Sequence, residues 1–284
     1  MLIMLDQKGY IHIKNYFDPK DIAFEANKTI EISQKIKWKY IKVYHNIFIN
    51  KFINIFSIIF PFSHKLNPKL YDEFLKINLK DIIIKNTSWN CFKINQIELQ
   101  HNEKYNYQST WHRDCKIANL ENIVAIIYLR DESGFRLVPK DLENNMINEY
   151  PFFEEKSYKH GYTNLPKKFY FEFDAKAGDI VIFDAGLLHQ GNSKGKRTHF
   201  FVRCVKNKDN TIEDSLKPDT LLKDLELSSS NYNWDFNQNY FSFKNRIKSF
   251  INLLLYYFPV FKIFKFLLDF KKKNIHFHYS IFQK

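Results

Sequence analysis

The sequence predicts a mainly β protein with flanking helices, a β-sandwich or jelly roll whose helices come from its first third. Three observations carry this. From Ile82 to Val205 the apolar residues recur with period two in short segments. Turn sequences separate those segments, as at Asp131-Glu132-Ser133-Gly134 and Ala177-Gly178-Asp179. Before Ile82 the apolar spacing is helical instead. Many short strands with turns between them must cover two faces, which a sandwich or a roll achieves. Neither an internal repeat nor a glycine-rich phosphate loop is present.

The elements follow in order. Gly9 to Phe17 alternates as a strand. Asp18 is a good N-cap and Pro19 suits a first helical position, so a helix is expected from Pro19 to Lys37. Its inner stripe would be Ile22, Ala26, Thr29, Ile30 and Ser33. Asn46 to Phe60 is very apolar at helical spacing and stops at Pro61, which predicts a packing helix. A short helix is expected over Pro68–Leu79, then strands from Ile82. Tyr105 to Thr110 is strand-like and leads into Trp111-His112-Arg113-Asp114. Asn122–Arg130 is continuously apolar, so it is covered on both faces. Phe135–Val138, Tyr170–Phe173, Ile180–Phe183 and Thr198–Val205 are further strands, and Asp141–Asn164 is a polar loop.

Composition bounds the rest. The chain has 284 residues, 45% apolar and 18% aromatic, enough for a real core and incompatible with a disordered chain. Three cysteines make no C-x-x-C pair, which fits free thiols and a cytoplasmic setting. Met1–Leu5 is apolar, but Asp6 and Lys8 end it too soon for a signal peptide, and no run reaches the ~18 residues of a spanning helix. Net charge is +12, and eight basic residues against Asp269 place +7 of it between Lys244 and Lys273. Two units are expected: a jelly-roll domain over 1–208 and a basic, apolar helical extension over 209–284. In the extension, Phe243–Phe270 alternates apolar and basic blocks around Pro259. Those helices pack on the β core or a second subunit, or lie on a membrane surface through residues 244–273. No nucleic-acid partner is expected.

The chemistry centres on His112 and Asp114. Residues two apart on a strand share a face, so one imidazole and one carboxylate point the same way. His189, at the end of the segment Ala177–His189, is the candidate third ligand. Two neutral imidazoles and a carboxylate form the facial triad of non-haem Fe(II), with positions open for a bidentate co-substrate and O2. Arg197 follows across the polar turn 190–196 and can clamp a carboxylate with two parallel hydrogen bonds. Arg203 shares its strand face, so periodicity alone does not separate the two.

H-x-D, then G-D-I-V-I-F-D, then H-x-G-N with an arginine soon after, resembles the phytanoyl-CoA dioxygenase family of Fe(II)/2-oxoglutarate oxygenases. The opening G-Y-I-H-I-K-N-Y-F-D-P and the central G-F-R-L-V-P are also similar to its pattern. The resemblance spans roughly residues 8 to 205 with gaps. It implies a double-stranded β-helix, a cupin-like jelly roll, with His112, Asp114 and His189 as iron ligands and Arg197 as the 2-oxoglutarate anchor. The expected activity is that of a dioxygenase that hydroxylates an unactivated carbon of a small or lipid- or glycan-linked substrate, consuming 2-oxoglutarate and O2. Two departures stand out: the turn before Arg197 is shorter than in the family, and Pro139-Lys140-Asp141-Leu142 replaces its P-G-S-H. The alternative function is a degenerate jelly-roll binding or scaffold protein at a membrane surface, against which the intact triad argues. A cupin-like isomerase would not need Arg197. Tyr128, Trp111 and His199 are expected to be packing or satisfied structural residues, and Asp179 and Asp184 turn and strand-end residues.

Overall fold

The computed structural model describes residues 4–35, 55–59, 67–89, 92–102, 107–108, 111–115, 118–153, 164–193 and 195–206. The expected extension over 209–284, its membrane contact and most of the 46–60 segment lie outside the described residues. Among the described residues, no helix is long and apolar enough to cross a membrane.

Helix α1 (Met4–Lys8) leads through Gly9 into strand β1 (Tyr10–Ile13). Gly9 has φ 74, and a Cβ there would sit 2.5 Å from the Leu187 side chain, so this junction needs glycine. Helix α2 (Lys20–Lys35) starts where expected, with the Asp18 carboxylate accepting from the Lys20 N–H at 3.0 Å. Ile22, Ala26, Thr29 and Ile30 form its buried stripe. Asn67 then donates to Glu25 Oε2 at 2.7 Å and Thr29 Oγ1 at 3.1 Å, fixing the next segment to α2.

Three readings of this first third change. Ile55–Ile59 is a strand, β2, and not part of a helix. Short apolar runs do not distinguish the two conformations, and this isoleucine-rich one pairs antiparallel with the open edge of β3 (Phe92–Asn102). The expected helix over Pro68–Leu79 becomes two: α3 (Pro68–Lys76) and α4 (Leu79–Asn86). Strands begin ten residues later than Ile82, because Leu79, Ile82 and Ile83 lie at helical spacing and are buried together.

The remaining elements are β4 (Tyr107–Gln108), β5 (Asn122–Tyr128), β6 (Glu132–Leu137), α5 (Lys140–Glu149), β7 (Phe171–Ala175), β8 (Ile180–Asp184), β9 (His189–Gln190), β10 (Asn192–Ser193) and β11 (Arg197–Lys206). Two were expected otherwise. Glu132–Gly134 belongs to β6, with the ladder shifted at Gly134. That residue has φ 107, and a Cβ there would lie 1.8 Å from the Asn192 carbonyl oxygen, so the turn signal marks a bulge. Residues 140–149 form a helix within the expected loop. Asp141 and Glu143 sit in its positive first turn, and Met146 anchors it.

One antiparallel sheet runs β1-β8-β5-β11-β3-β2, a second runs β7-β6-β9, and β10 pairs with β4. Along β11, Phe200, Val202 and Cys204 pack with Ile94, Ile97, Leu99 and the helices. The intervening Arg197, His199, Phe201 and Arg203 therefore face the second sheet. Between the sheets, Val124, Ile126, Tyr128, Val181 and Phe183 meet Leu137, Phe173 and Ala175. Each such aliphatic or phenylalanine side chain, fully buried, contributes about 1.5–3 kcal/mol. β5 is covered on both faces, as its continuous apolar run requires. A third cluster gathers Trp111, Val138, Met146, Phe153 and Leu188 under α5. The whole is a double-stranded β-helix.

Candidate metal centre

His112 and His189 face each other in an isolated antiparallel bridge between the H-x-D segment and β9. Each donates its N–H to the other's carbonyl at 2.9 Å. The N–H groups of Asp114 and Cys115 both reach the Ala185 carbonyl, at 2.8 and 3.1 Å. The segments carrying the two halves of the site are thus paired by main-chain bonds. The imidazole centroids lie 4.3 Å apart. Asp114 Oδ1 is 3.9 Å from His112 Nε2, and its Oδ2 is 3.9 Å from His189 Nε2. One ligand atom from each residue lies within 4.8 Å of the other two, a spacing one divalent ion can bridge.

Protonation suits that use. His189 Nδ1 lies 2.9 Å from the Leu187 carbonyl. A carbonyl only accepts, so Nδ1 carries the proton and Nε2 turns its lone pair toward Asp114. Burial, with the His112 charge, lowers the His189 pKa to about 4, against the pull of Asp114, so the ring is neutral near pH 7. Burial alone would raise the Asp114 pKa. The Arg203 guanidinium and both imidazoles overcome it and hold the pKa at about 2. Arg203 Nη2 donates to Asp114 Oδ2 at 2.8 Å. Two imidazoles, that of His189 neutral, and one ionised carboxylate fit a transition metal of intermediate softness.

The structure therefore brings together His112, Asp114 and His189, and adds Arg203. Arg197 is elsewhere. It lies six residues earlier on the inner face of β11, opposite Asn102, about 20 Å along the strand from Arg203. There its charge acts on the buried Tyr128 hydroxyl, whose pKa burial and Glu132 raise. His199 is a satisfied structural residue, with Nδ1 2.8 Å from Glu132 Oε2 and Nε2 3.2 Å from Gln100 Oε1. Asp179 accepts from the N–H groups of Asn15 and Lys176 and bonds His12. Asp184 accepts from the N–H groups of Leu120 and Gly186.

Sequence reasoning missed Arg113, which stands between the two ligands in the chain. It is buried, and its Nη1 donates to Glu143 on α5 and to the Gly186 carbonyl at 2.7 Å. It thus ties the H-x-D segment to the turn before His189 and to the helix outside. A surface arginine has the same one-letter pattern, so no sequence signal marks it. The aromatic side of the site is Phe183 and Phe135, with ring centroids 4.9 and 6.0 Å from His189. Of the cysteines among the described residues, Cys115 is half-buried and Cys204 buried.

No protein-family model matches the chain. No curated protein matches it either. Solved structures do. A non-heme alpha ketoglutarate dependent carbocyclase, SnoK from nogalamycin biosynthesis, is 12% identical, with 71% of this chain and 81% of that one covered and a TM-score of 0.49. EctD from S. alaskensis with 2-oxoglutarate and 5-hydroxyectoine is 14% identical, covering 71% and 73%, at 0.48. HygX from Streptomyces hygroscopicus with nickel, 2-oxoglutarate and hygromycin B bound is 11% identical, covering 72% and 85%, at 0.45.

Proposed function

We propose that this chain is an Fe(II)- and 2-oxoglutarate-dependent dioxygenase acting on a small molecule. One observation carries the reading: two imidazoles and one carboxylate converge on segments paired by main-chain bonds, with a guanidinium against the carboxylate. This donor set suits non-haem Fe(II) and leaves positions for a chelating co-substrate and O2. When bound, the iron supplies the oxidative chemistry, with 2-oxoglutarate converted to succinate and CO2. The chain's own part is positioning. His189 presents a neutral Nε2 and Asp114 an ionised carboxylate, so neither must lose a proton near pH 7 to bind metal. Arg113 holds the two ligand segments in register. Phe183 and Phe135 keep water off one side of His189.

The co-substrate's second carboxylate needs a guanidinium. The family resemblance favours Arg197. We assign the role to Arg203, because its guanidinium stands 2.8 Å from the Asp114 carboxylate, while Arg197 lies six residues earlier along β11. The reading extends to hydroxylation of an unactivated carbon. It extends also to a cytoplasmic enzyme whose basic, apolar segment 244–273 touches anionic membrane surfaces. Vesicle co-sedimentation that weakens with salt tests the contact, and indifference to anionic vesicles removes it. Calorimetry with Fe(II) tests the site: one ion per chain is expected, lost in His112→Ala and in His189→Ala. Unchanged affinity in both variants means that the ligands are misassigned.

A further inference from the structure

The rings around the metal ligands differ in how readily they give up an electron. On one side His189 meets Phe183 and Phe135, hydrocarbon rings that are hard to oxidise. On the other stands Trp111, the chain neighbour of His112. Consecutive Cα atoms lie ~3.8 Å apart, so a single peptide unit joins the residue bearing the indole to the ligand. Trp111 is 0% exposed and sits in the cluster under α5 with Val138, Met146, Phe153 and Leu188. Its ring meets that of Tyr170, with centroids 5.3 Å apart.

Two details of this pair go beyond packing. The indole N–H of Trp111 has no hydrogen-bond partner among the described residues. A buried Trp N–H normally finds one, and an unpaired buried donor calls for an explanation, a redox role among them. An indole that loses an electron here has no acceptor for its proton. It stays a radical cation, a stronger oxidant than the neutral indole radical, and so draws an electron from the next ring. That ring is Tyr170, which is half-exposed. The Arg136 guanidinium carbon lies 5.1 Å from its centroid, and Arg136 is itself fixed by Glu172 Oε2 at 2.7 Å and Gln190 Oε1 at 3.1 Å. A cation over the ring opposes positive charge on it. Tyr170 therefore loses its phenolic proton to water together with the electron, and the oxidising equivalent rests there as a neutral tyrosyl radical.

We propose that Trp111 and Tyr170 form an electron path between the protein surface and the metal centre, which quenches oxidant formed there when no substrate is bound. This rests on the metal-centre reading and adds a protective redox activity to it. With hydrogen peroxide as the oxidant the step balances. Peroxide becomes two waters by taking up two electrons and two protons. One electron is drawn from Fe(II), which ends as Fe(III). The other comes from Trp111, which Tyr170 restores. Tyr170 releases one of the protons and solvent supplies the second. Ascorbate then returns an electron and a proton to Tyr170.

The test mixes full-length, Fe(II)-loaded protein with hydrogen peroxide, freezes it within the reaction and reads it by electron paramagnetic resonance. Peroxide needs no 2-oxoglutarate, so the result stands apart from the co-substrate reading. The wild type is expected to give a tyrosyl signal that narrows with ring-deuterated tyrosine, disappears with ascorbate and is absent without iron. Tyr170→Phe removes only a hydroxyl at a half-exposed position. It should abolish the signal and shift oxidation to Trp111 and His112, seen as added oxygen in peptide mass spectrometry. Trp111→Phe should abolish the signal too, with Tyr170 still in place. No radical in the iron-loaded wild type, an undiminished signal in Tyr170→Phe or in folded Trp111→Phe, or sulfenic acid at Cys115 in place of the radical overturns the proposal. Failure to bind Fe(II) is a different result: it removes the metal centre and takes the proposal with it.

Discussion

Lowering the pH of the metal-free protein should cost stability through His189, by an amount the structure sets. The buried ring has its pKa lowered from 6.5 to about 4, first by burial and then by the His112 charge. Between those values the unfolded chain binds the proton and the folded chain refuses it. Stability from this group is therefore complete above 6.5 and is lost as pH falls through about 4. Between roughly pH 7.5 and roughly pH 5 the loss is about 2 kcal/mol. For a domain of this size that lowers Tm by roughly 4–8 °C. Thermal unfolding in a chelator at the two pH values measures it. His189→Gln removes the titration while keeping a polar side chain, so its own pH-dependent loss should be smaller by that amount. Equal losses in the two proteins would show that His189 is not a buried neutral imidazole, and the pre-organised Nε2 donor would go with it.

Three further outcomes are expected. Arg203→Ala should raise the KM for 2-oxoglutarate by the equivalent of ~2–5 kcal/mol and Arg197→Ala by much less; steady-state succinate assays decide, and the opposite ranking returns the clamp to Arg197. Arg113→Met should weaken metal binding by about 10–100-fold, and adding Glu143→Leu should recover stability without recovering affinity; calorimetry and urea unfolding separate the two effects. Gly134→Ala should destabilise by about 1–3 kcal/mol or more in urea unfolding, because its φ of 107 and the nearby Asn192 carbonyl leave no place for a Cβ. A silent substitution there would mean that the bulge relaxes freely.

What the sequence made legible is what local pattern controls. The continuously apolar run at 122–128 and the apolar segment at 180–184 became central strands, and the Asp18-Pro19 start and the Ile22-Ala26-Ile30 stripe became α2. His112, Asp114 and His189 could be singled out because ligand-type residues stood at a strand's end, and the fold brings them together. What was not legible depends on partners distant in the chain. Ile55–Ile59 is a strand only because β3 offers it an edge. Lys140–Glu149 is helical although polar, since a single buried Met146 anchors it. Arg203 and Arg197 have the same face and residue type, and only the register of β11 against β3 and β5 puts one at the ligands and the other far along the strand. Arg113 became a strut through Glu143 and Gly186, which lie 30 and 73 residues away.

The most direct test of the central claim is succinate formed per 2-oxoglutarate consumed, in air with Fe(II), by the full-length protein and by Asp114→Ala. The account predicts one succinate for each 2-oxoglutarate in the wild type, arrest on chelation, and loss in the variant, whose metal site lacks its only anionic ligand. Succinate release that persists undiminished in Asp114→Ala, or a wild type that binds the metal and leaves 2-oxoglutarate intact, would contradict it.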